Sequence, residues 1–238
     1  MSPPPLIKSG GGLIEVFGEN MEKTLRNYLK QAPVTATVIA FCALTWAATA
    51  IQSHSLTASY YGSSLAYDWT LWGPDFEAAP LTAISAGFMH IDLGHLAVNM
   101  FLLLLVGREI EQALGGALYA CVYLLSLLGA SAAVLGMDYQ TPTVGASGAI
   151  YALLALLVGL YNSRGMDLRA PIVLVVANVA YTFLMSGVSL WGHLGGLFTG
   201  VILAFFVFNS RRGVRWTGVF TVFLALSFFL GLQAGFWG

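Results

Sequence analysis

The stretch Gly145-Ala146-Ser147-Gly148-Ala149-Ile150-Tyr151 decides the reading, because a polar turn passes there into an apolar helical run with a serine at the junction. Taken alone, a serine in that place is ordinarily an N-cap, its hydroxyl closing the free amides of the first turn. Its other use is as a nucleophile. The choice depends on where His193, His95 and Asn99 lie once the chain is threaded through a bilayer.

Composition calls for that threading. The 238 residues are 58% hydrophobic and 9% charged, with a mean hydropathy of +0.78, whereas soluble domains carry roughly a quarter charged residues. The chain reads as an all-α, multi-pass integral membrane protein whose first partner is the lipid bilayer. A net charge of −1 and the lack of a basic block give no sign of a nucleic-acid partner, and no nucleotide site is expected. Cys42 and Cys121 both lie in apolar runs and read as packing residues. No Cys/His spacing suits a metal, so neither metal nor cofactor is expected.

A span needs about 20 apolar residues, and seven stretches qualify, at 33–52, 83–107, 117–136, 147–163, 171–188, 190–209 and 216–237. Residues 1 to about 11 read as a disordered tail, Leu13 to Gln31 as a short amphipathic helix at the membrane surface or against the bundle, and no cleavable secretory signal is expected in the first 32 residues. The division expected is a cytoplasmic arm (1–32), a catalytic transmembrane core (33–209), and a basic linker with an extra C-terminal helix (210–238). Aromatic residues in the loop from His54 to Pro80 suggest an interfacial segment. With seven spans, all ten Lys and Arg fall in the N-terminal arm or in the second, fourth and sixth connections. The positive-inside rule then places the N-terminus in the cytoplasm and the starts of spans 2, 4 and 6 at the outer face.

Ser147 opens span 4, His193 opens span 6, and His95 and Asn99 share one face of span 2. Small residues supply the means of contact: Gly148, Ala152, Ala155 and Gly159 form a stripe on span 4, and Gly196, Gly200 and Ala204 form one on span 6. Polar groups at membrane depth point to function. A serine hydroxyl attacks only when a base takes its proton, and histidine suits that role. Acyl transfer also needs donors for an oxyanion, here the amides at the start of span 4 with the side chains of His95 and Asn99. Gly148 leaves room for a carbonyl, and Tyr151, one turn below Ser147, is placed to pack on the imidazole. No acid is clearly placed to orient His193; Asp92 and Asp138 are the only candidates, and a dyad is the simpler reading.

Four motifs, Phe88-x-His90-x4-His95-x3-Asn99, Gly107-x3-Glu111-x3-Gly115, Gly145-x-Ser147-Gly148-x2-Tyr151 and His193-x2-Gly196-x3-Gly200, together make residues 85 to 209 resemble the rhomboid intramembrane serine proteases. The resemblance implies a rhomboid-like six-helix bundle plus a seventh C-terminal helix (6+1). It also implies a Ser147–His193 dyad, an oxyanion site from His95, Asn99 and the Ser147 amide, and Tyr151 stacked on His193. Glu111 would be a buried structural anchor. Single-pass transmembrane proteins would be the substrates, entering past span 5, in a cell (cytoplasmic or inner) membrane with the site opening to the non-cytoplasmic side. The alternative is a catalytically silent relative that binds or escorts membrane helices. A Trp-Arg pair common in the family's first loop is replaced by Leu81-Thr82, which puts the anchoring of that loop in question.

Overall fold

The computed structural model describes residues 11–185 and 187–236. The N-terminal tail expected at 1 to about 11 lies almost wholly outside the described residues. The elements are α1 (Gly11–Gln31), α2 (Pro33–Ser53), α3 (Ser64–Trp69), α4 (Thr82–Ser85), α5 (Leu93–Leu102), α6 (Arg108–Leu114), α7 (Gly116–Met137), α8 (Ser147–Ser163), α9 (Arg169–Leu184), α10 (Leu190–Val207) and α11 (Arg212–Gln233). A π-helical turn at Leu103–Gly107 joins α5 and α6 into one rod, Leu93–Leu114. No strand is formed among the described residues; there is one isolated bridge, Leu71 with Thr143.

Five helices are long and apolar enough to cross a membrane: α2, the α5–α6 rod, α7, α10 and α11. The protein is therefore an all-helical integral membrane protein. The other two expected spans, α8 and α9, are apolar but have 17 and 16 residues, about 25 Å of helix against a hydrocarbon layer of about 30 Å. In α1 the apolar residues Met21, Leu25 and Leu29 recur every four positions and are exposed, the pattern of a helix lying on an apolar surface.

The second span departs from its sequence boundaries. It begins at Leu93, ten residues later than expected, and carries Arg108 and Glu111 within it. The reason is local: Met89 is extended, and Asp92 caps the helix by accepting a hydrogen bond from the His95 amide at 2.8 Å. Residues 82–88 instead form short helical turns, which hydropathy averaging cannot tell from a span.

The centre of the bundle is α8, buried along most of its length and most extensively packed against α10. The two small-residue stripes meet. A Cβ on Gly196 would collide with the Gly148 carbonyl and one on Gly200 with the Ala152 carbonyl, while one on Gly159 would lie 2.8 Å from the Ala204 Cβ. The pairings rise together along both helices, so α8 and α10 run parallel. Both are antiparallel to α7, whose Ala130 abuts Gly148 and whose Gly129 abuts Thr199. Gly200→Val would push α10 off α8, and a loss of about 2 kcal/mol or more is expected, read as a lower thermal midpoint in detergent.

Glu111 is the anchor at the far end of the α5–α6 rod, about 24 Å from His95 along the helix. The N-terminus of α2 has Ala32 as its N-cap residue and Pro33 behind it, and no side-chain cap of its own. Its free amides are met from 77 residues away: the Glu111 carboxyl group accepts from Val34 N at 2.9 Å, Thr35 N at 2.7 Å and Thr35 Oγ1 at 2.7 Å. Negative charge at a helix start is favoured by the aligned peptide dipoles.

The first loop is anchored without a Trp-Arg pair. Leu71 N donates to Thr143 O and Thr143 N to Leu71 O, Gly73 N donates to Tyr139 O, and Trp72 Nε1 donates to Gln140 O. Ser131 Oγ from α7 donates to Ala83 O. Underneath, Leu71, Phe76, Ala83 and Ala86 pack with Val134, Leu135, Leu230 and Ala234 in a second apolar cluster. The last helix, α11, thus supports the loop that holds the chain just before Ser147.

Candidate active site

Ser147 is the first residue of α8, yet it does not cap it. The N-cap position belongs to Ala146 and has no side-chain bond; the Ser147 hydroxyl has no hydrogen-bonded partner among the described residues, His193 included. Half-buried and uncommitted, it borders a cavity of about 30 Å³ lined by Gly145, Gly148, Ala130, Ser131, Ser189 and Gly192. That is room for a water molecule. The first intrahelical bond of α8 near its start is Ile150 N to Ala146 O, so the amides of Ser147, Gly148 and Ala149 come before it and point out of the helix start.

Gly145 shapes the approach. Its φ of +131° is one that side-chain-bearing residues rarely adopt. A Cβ there would also stand 3.0 Å from His95 Nε2 and 3.6 Å from Ser147 Oγ, so one point lies close to both groups. A side chain at Gly145 would have to displace the His95 ring.

His95 sits in the first turn of α5, its ring edge-on to the buried ring of His90 at 5.0 Å. Ile91 N donates to its Nδ1 at 3.5 Å. An Nδ1 that accepts leaves the proton on Nε2, the nitrogen facing Gly145 and Ser147. Asn99, buried one turn further on, donates one Nδ2 hydrogen to His95 O at 2.8 Å, and its second has no partner among the described residues.

His193 lies in the first turn of α10, opposite the start of α8 and 6% exposed. Tyr151 stacks on it with ring centroids 4.0 Å apart and planes 17° from parallel. Neither candidate acid reaches it. Asp92 is the cap of α5, and Asp138 accepts from Thr141 Oγ1 at 2.6 Å. The partner of His193 Nδ1 is instead Thr182 Oγ1, at 2.8 Å, from α9. Thr182 Oγ1 also donates to Asn178 O at 3.1 Å and contacts the Tyr151 hydroxyl, which itself donates to Asn178 O. The sequence carries a signal for this residue. Asn178 and Thr182 are four apart, on one face of an apolar helix, as His95 and Asn99 are.

The chain therefore brings Ser147, Tyr151, His193, His95 and Asn99 to one end of the bundle, and leaves Asp92 and Asp138 in local turns. Among the described residues no three His, Cys, Asp or Glu side chains gather as metal ligands. Asp92→Asn, which keeps a capping oxygen, should change the thermal midpoint little; Asp92→Ala should lower stability by about 1 kcal/mol.

A family model described as the Rhomboid domain matches residues 78–210, more than half of the chain. The chain belongs to the rhomboid family. It is 35% identical over 122 residues to the rhomboid protease GluP of Bacillus subtilis, covering 49% of this chain and 24% of that protein. It is 26% identical over 198 residues to human rhomboid-related protein 3, covering 75% and 48%. With rhomboid-type serine protease 2 of Emericella nidulans the identity is 30% over 137 residues, covering 54% and 27%. The chain thus spans about half or less of the length of these relatives. Some rhomboid relatives carry the name of serine proteases, which supports intramembrane proteolysis at the level of the family.

Proposed function

We propose that this rhomboid-family chain is an intramembrane serine endopeptidase that cleaves membrane-anchored proteins within or near their spans, with Ser147 as nucleophile and His193 as general base. One observation carries the reading: the start of α8 presents a hydroxyl that caps nothing, against the turn of α10 that holds a buried, Tyr151-stacked imidazole. Hydroxyl–imidazole pairs commonly tighten only when substrate is bound.

In the reaction, Ser147 Oγ bonds to the scissile carbonyl carbon as its proton passes to His193 Nε2. The oxyanion so formed is met by the amides at the start of α8, His95 Nε2–H and the spare Asn99 N–H; one such donor is worth about 3 kcal/mol in known cases. The C–N bond then breaks as His193 returns the proton to the leaving amine, and water, activated by the same imidazole, hydrolyses the acyl ester. Tyr151 keeps the imidazole plane fixed throughout, and Gly145 and Gly148 keep the approach clear.

The proposed arrangement in the membrane is six core spans plus α11, with the N-terminus cytoplasmic and the site opening on the other side. The direction of the helices supports it. The end of α8 (Arg164) and the start of α11 (Arg211, Arg212, Arg215) lie at the end of the bundle away from Ser147, and Arg108 hydrogen-bonds Gln31 at the base of the N-terminal arm. The test is cleavage of a tagged single-span reporter in proteoliposomes. His193→Ala should remove cleavage while the helical spectrum stays unchanged. Equal cleavage by His193→Ala and the parent would overturn the dyad, and no cleavage of any reporter by the parent would favour a silent helix-binding relative.

A further inference from the structure

The base in the proposed dyad has no carboxylate partner, and something else must fix which of its nitrogens carries the proton. We propose that Thr182 of α9 is the positioning residue for His193, holding it as the Nδ1–H tautomer through a hydroxyl relay that ends on the Asn178 carbonyl.

Counting protons at the cluster leads there. Four close contacts meet: His193 Nδ1 with Thr182 Oγ1, Thr182 Oγ1 with Tyr151 OH, and each of the two hydroxyls with Asn178 O. Tyr151 and Thr182 bring one proton each, and the carbonyl brings none because it only accepts. With the imidazole proton on Nδ1 there are three protons for four contacts. With the proton on Nε2 there are only two, and even if Thr182 donates to Nδ1 its oxygen is left against the Tyr151 and Asn178 oxygens with one proton fewer among them, inside a buried cluster where unmet polar groups are costly. The Asn178 carbonyl therefore draws the Thr182 proton towards α9, and the oxygen of Thr182 is left to accept from Nδ1–H. Nε2 keeps its lone pair, as a base for Ser147 must.

Unlike an aspartate, the acceptor is uncharged, so it fixes the tautomer without a negative charge to stabilise the imidazolium. The acceptor sits on α9, a 16-residue helix whose outer face carries Val173, Val176, Phe183 and Leu184 in the open, and not on either helix of the dyad. The base is poised only while α9 is seated against α8 and α10.

The inference rests on the dyad reading, and its experiment has two arms so that the two can fail separately. The full chain in proteoliposomes is compared as parent, Thr182→Val and Thr182→Ser for its rate of labelling by a fluorophosphonate, and for the ring-nitrogen NMR spectrum of histidine-labelled protein, with His193 assigned from His193→Gln. Valine keeps the shape of threonine and leaves Tyr151 bonded to Asn178 O, so its thermal midpoint should stay near the parent's. The labelling rate is expected to fall about tenfold in Thr182→Val, the worth of one ordinary hydrogen bond, and to return to within about twofold in Thr182→Ser. The spectrum should show the Nδ1–H tautomer in the parent and in Thr182→Ser, and a mixture in Thr182→Val. Thr182→Ala gives the same comparison should the valine chain fail to fold. A hydroxyl-free variant that labels at the parent rate, a serine variant no faster than valine, or an unchanged tautomer in Thr182→Val would overturn the positioning role. A parent that takes up no label, with the tautomer shifted in Thr182→Val as expected, would instead bring down the dyad and leave the hydrogen bond standing.

Discussion

Ser147→Ala is expected to lower reporter cleavage by a factor on the order of 10⁴ or more, because removing the nucleophile of a serine hydrolase leaves only what binding and oxyanion donors supply. The fold should not notice. The hydroxyl caps no helix and has no hydrogen-bonded partner among the described residues, so the alanine chain loses no structural bond and its thermal midpoint should match the parent's. The contrast between a large loss of rate and a small change in stability separates a nucleophile from an N-cap. A cap would show the reverse, about 1 kcal/mol of stability and little else. The measurement is a paired one, initial cleavage rates in proteoliposomes against the unfolding midpoint in detergent.

The second large effect is on stability and lies far from the chemistry. Glu111→Ala is expected to remove about 3 kcal/mol, because two amides and the Thr35 hydroxyl at the start of α2 lose their acceptor in a buried place. For a chain of this size that is a fall of roughly 6–12 °C in the thermal midpoint. Glu111→Gln, which keeps one acceptor oxygen, should lie between alanine and the parent. Per molecule still folded, both should cleave at close to the parent rate at low temperature, since Glu111 and His95 are separated by most of a span. A glutamine chain as stable as the parent would show that the α2 start is satisfied in another way.

Much of this could be read from the residues. The pairing of α8 with α10 was legible because glycine and alanine recurring every three or four positions is a one-dimensional pattern with one physical use in a membrane, and Gly148, Gly159, Gly196 and Gly200 all lie in the contact. The gathering of Ser147, His95 and His193 at one end followed from alternate threading and the one-sided basic residues. The sequence places the start of the second span too early because Ala83 to Phe88 is apolar enough to pass for part of a span. The better signal was Asp92, a capping residue three positions before His95. The anchoring of the first loop was hidden for a different reason: Leu71 and Thr143 pair through backbone atoms alone, and backbone leaves no mark in a sequence. Thr182 falls between these cases. Its type and its spacing from Asn178 were visible, but a hydroxyl in an apolar helix most often bonds back to its own turn. The bond across to His193 joins α9 to α10, and spacing within one helix does not show a contact with the next.

Whether Ser147 and His193 act as one chemical unit is read by covalent labelling. The full chain in proteoliposomes is treated with a fluorophosphonate and the modified residue is located by mass spectrometry of its peptides. A single adduct on Ser147 is expected, absent from Ser147→Ala and from His193→Ala. An unlabelled parent, an adduct on another residue, or undiminished labelling of Ser147 without His193 would contradict the dyad.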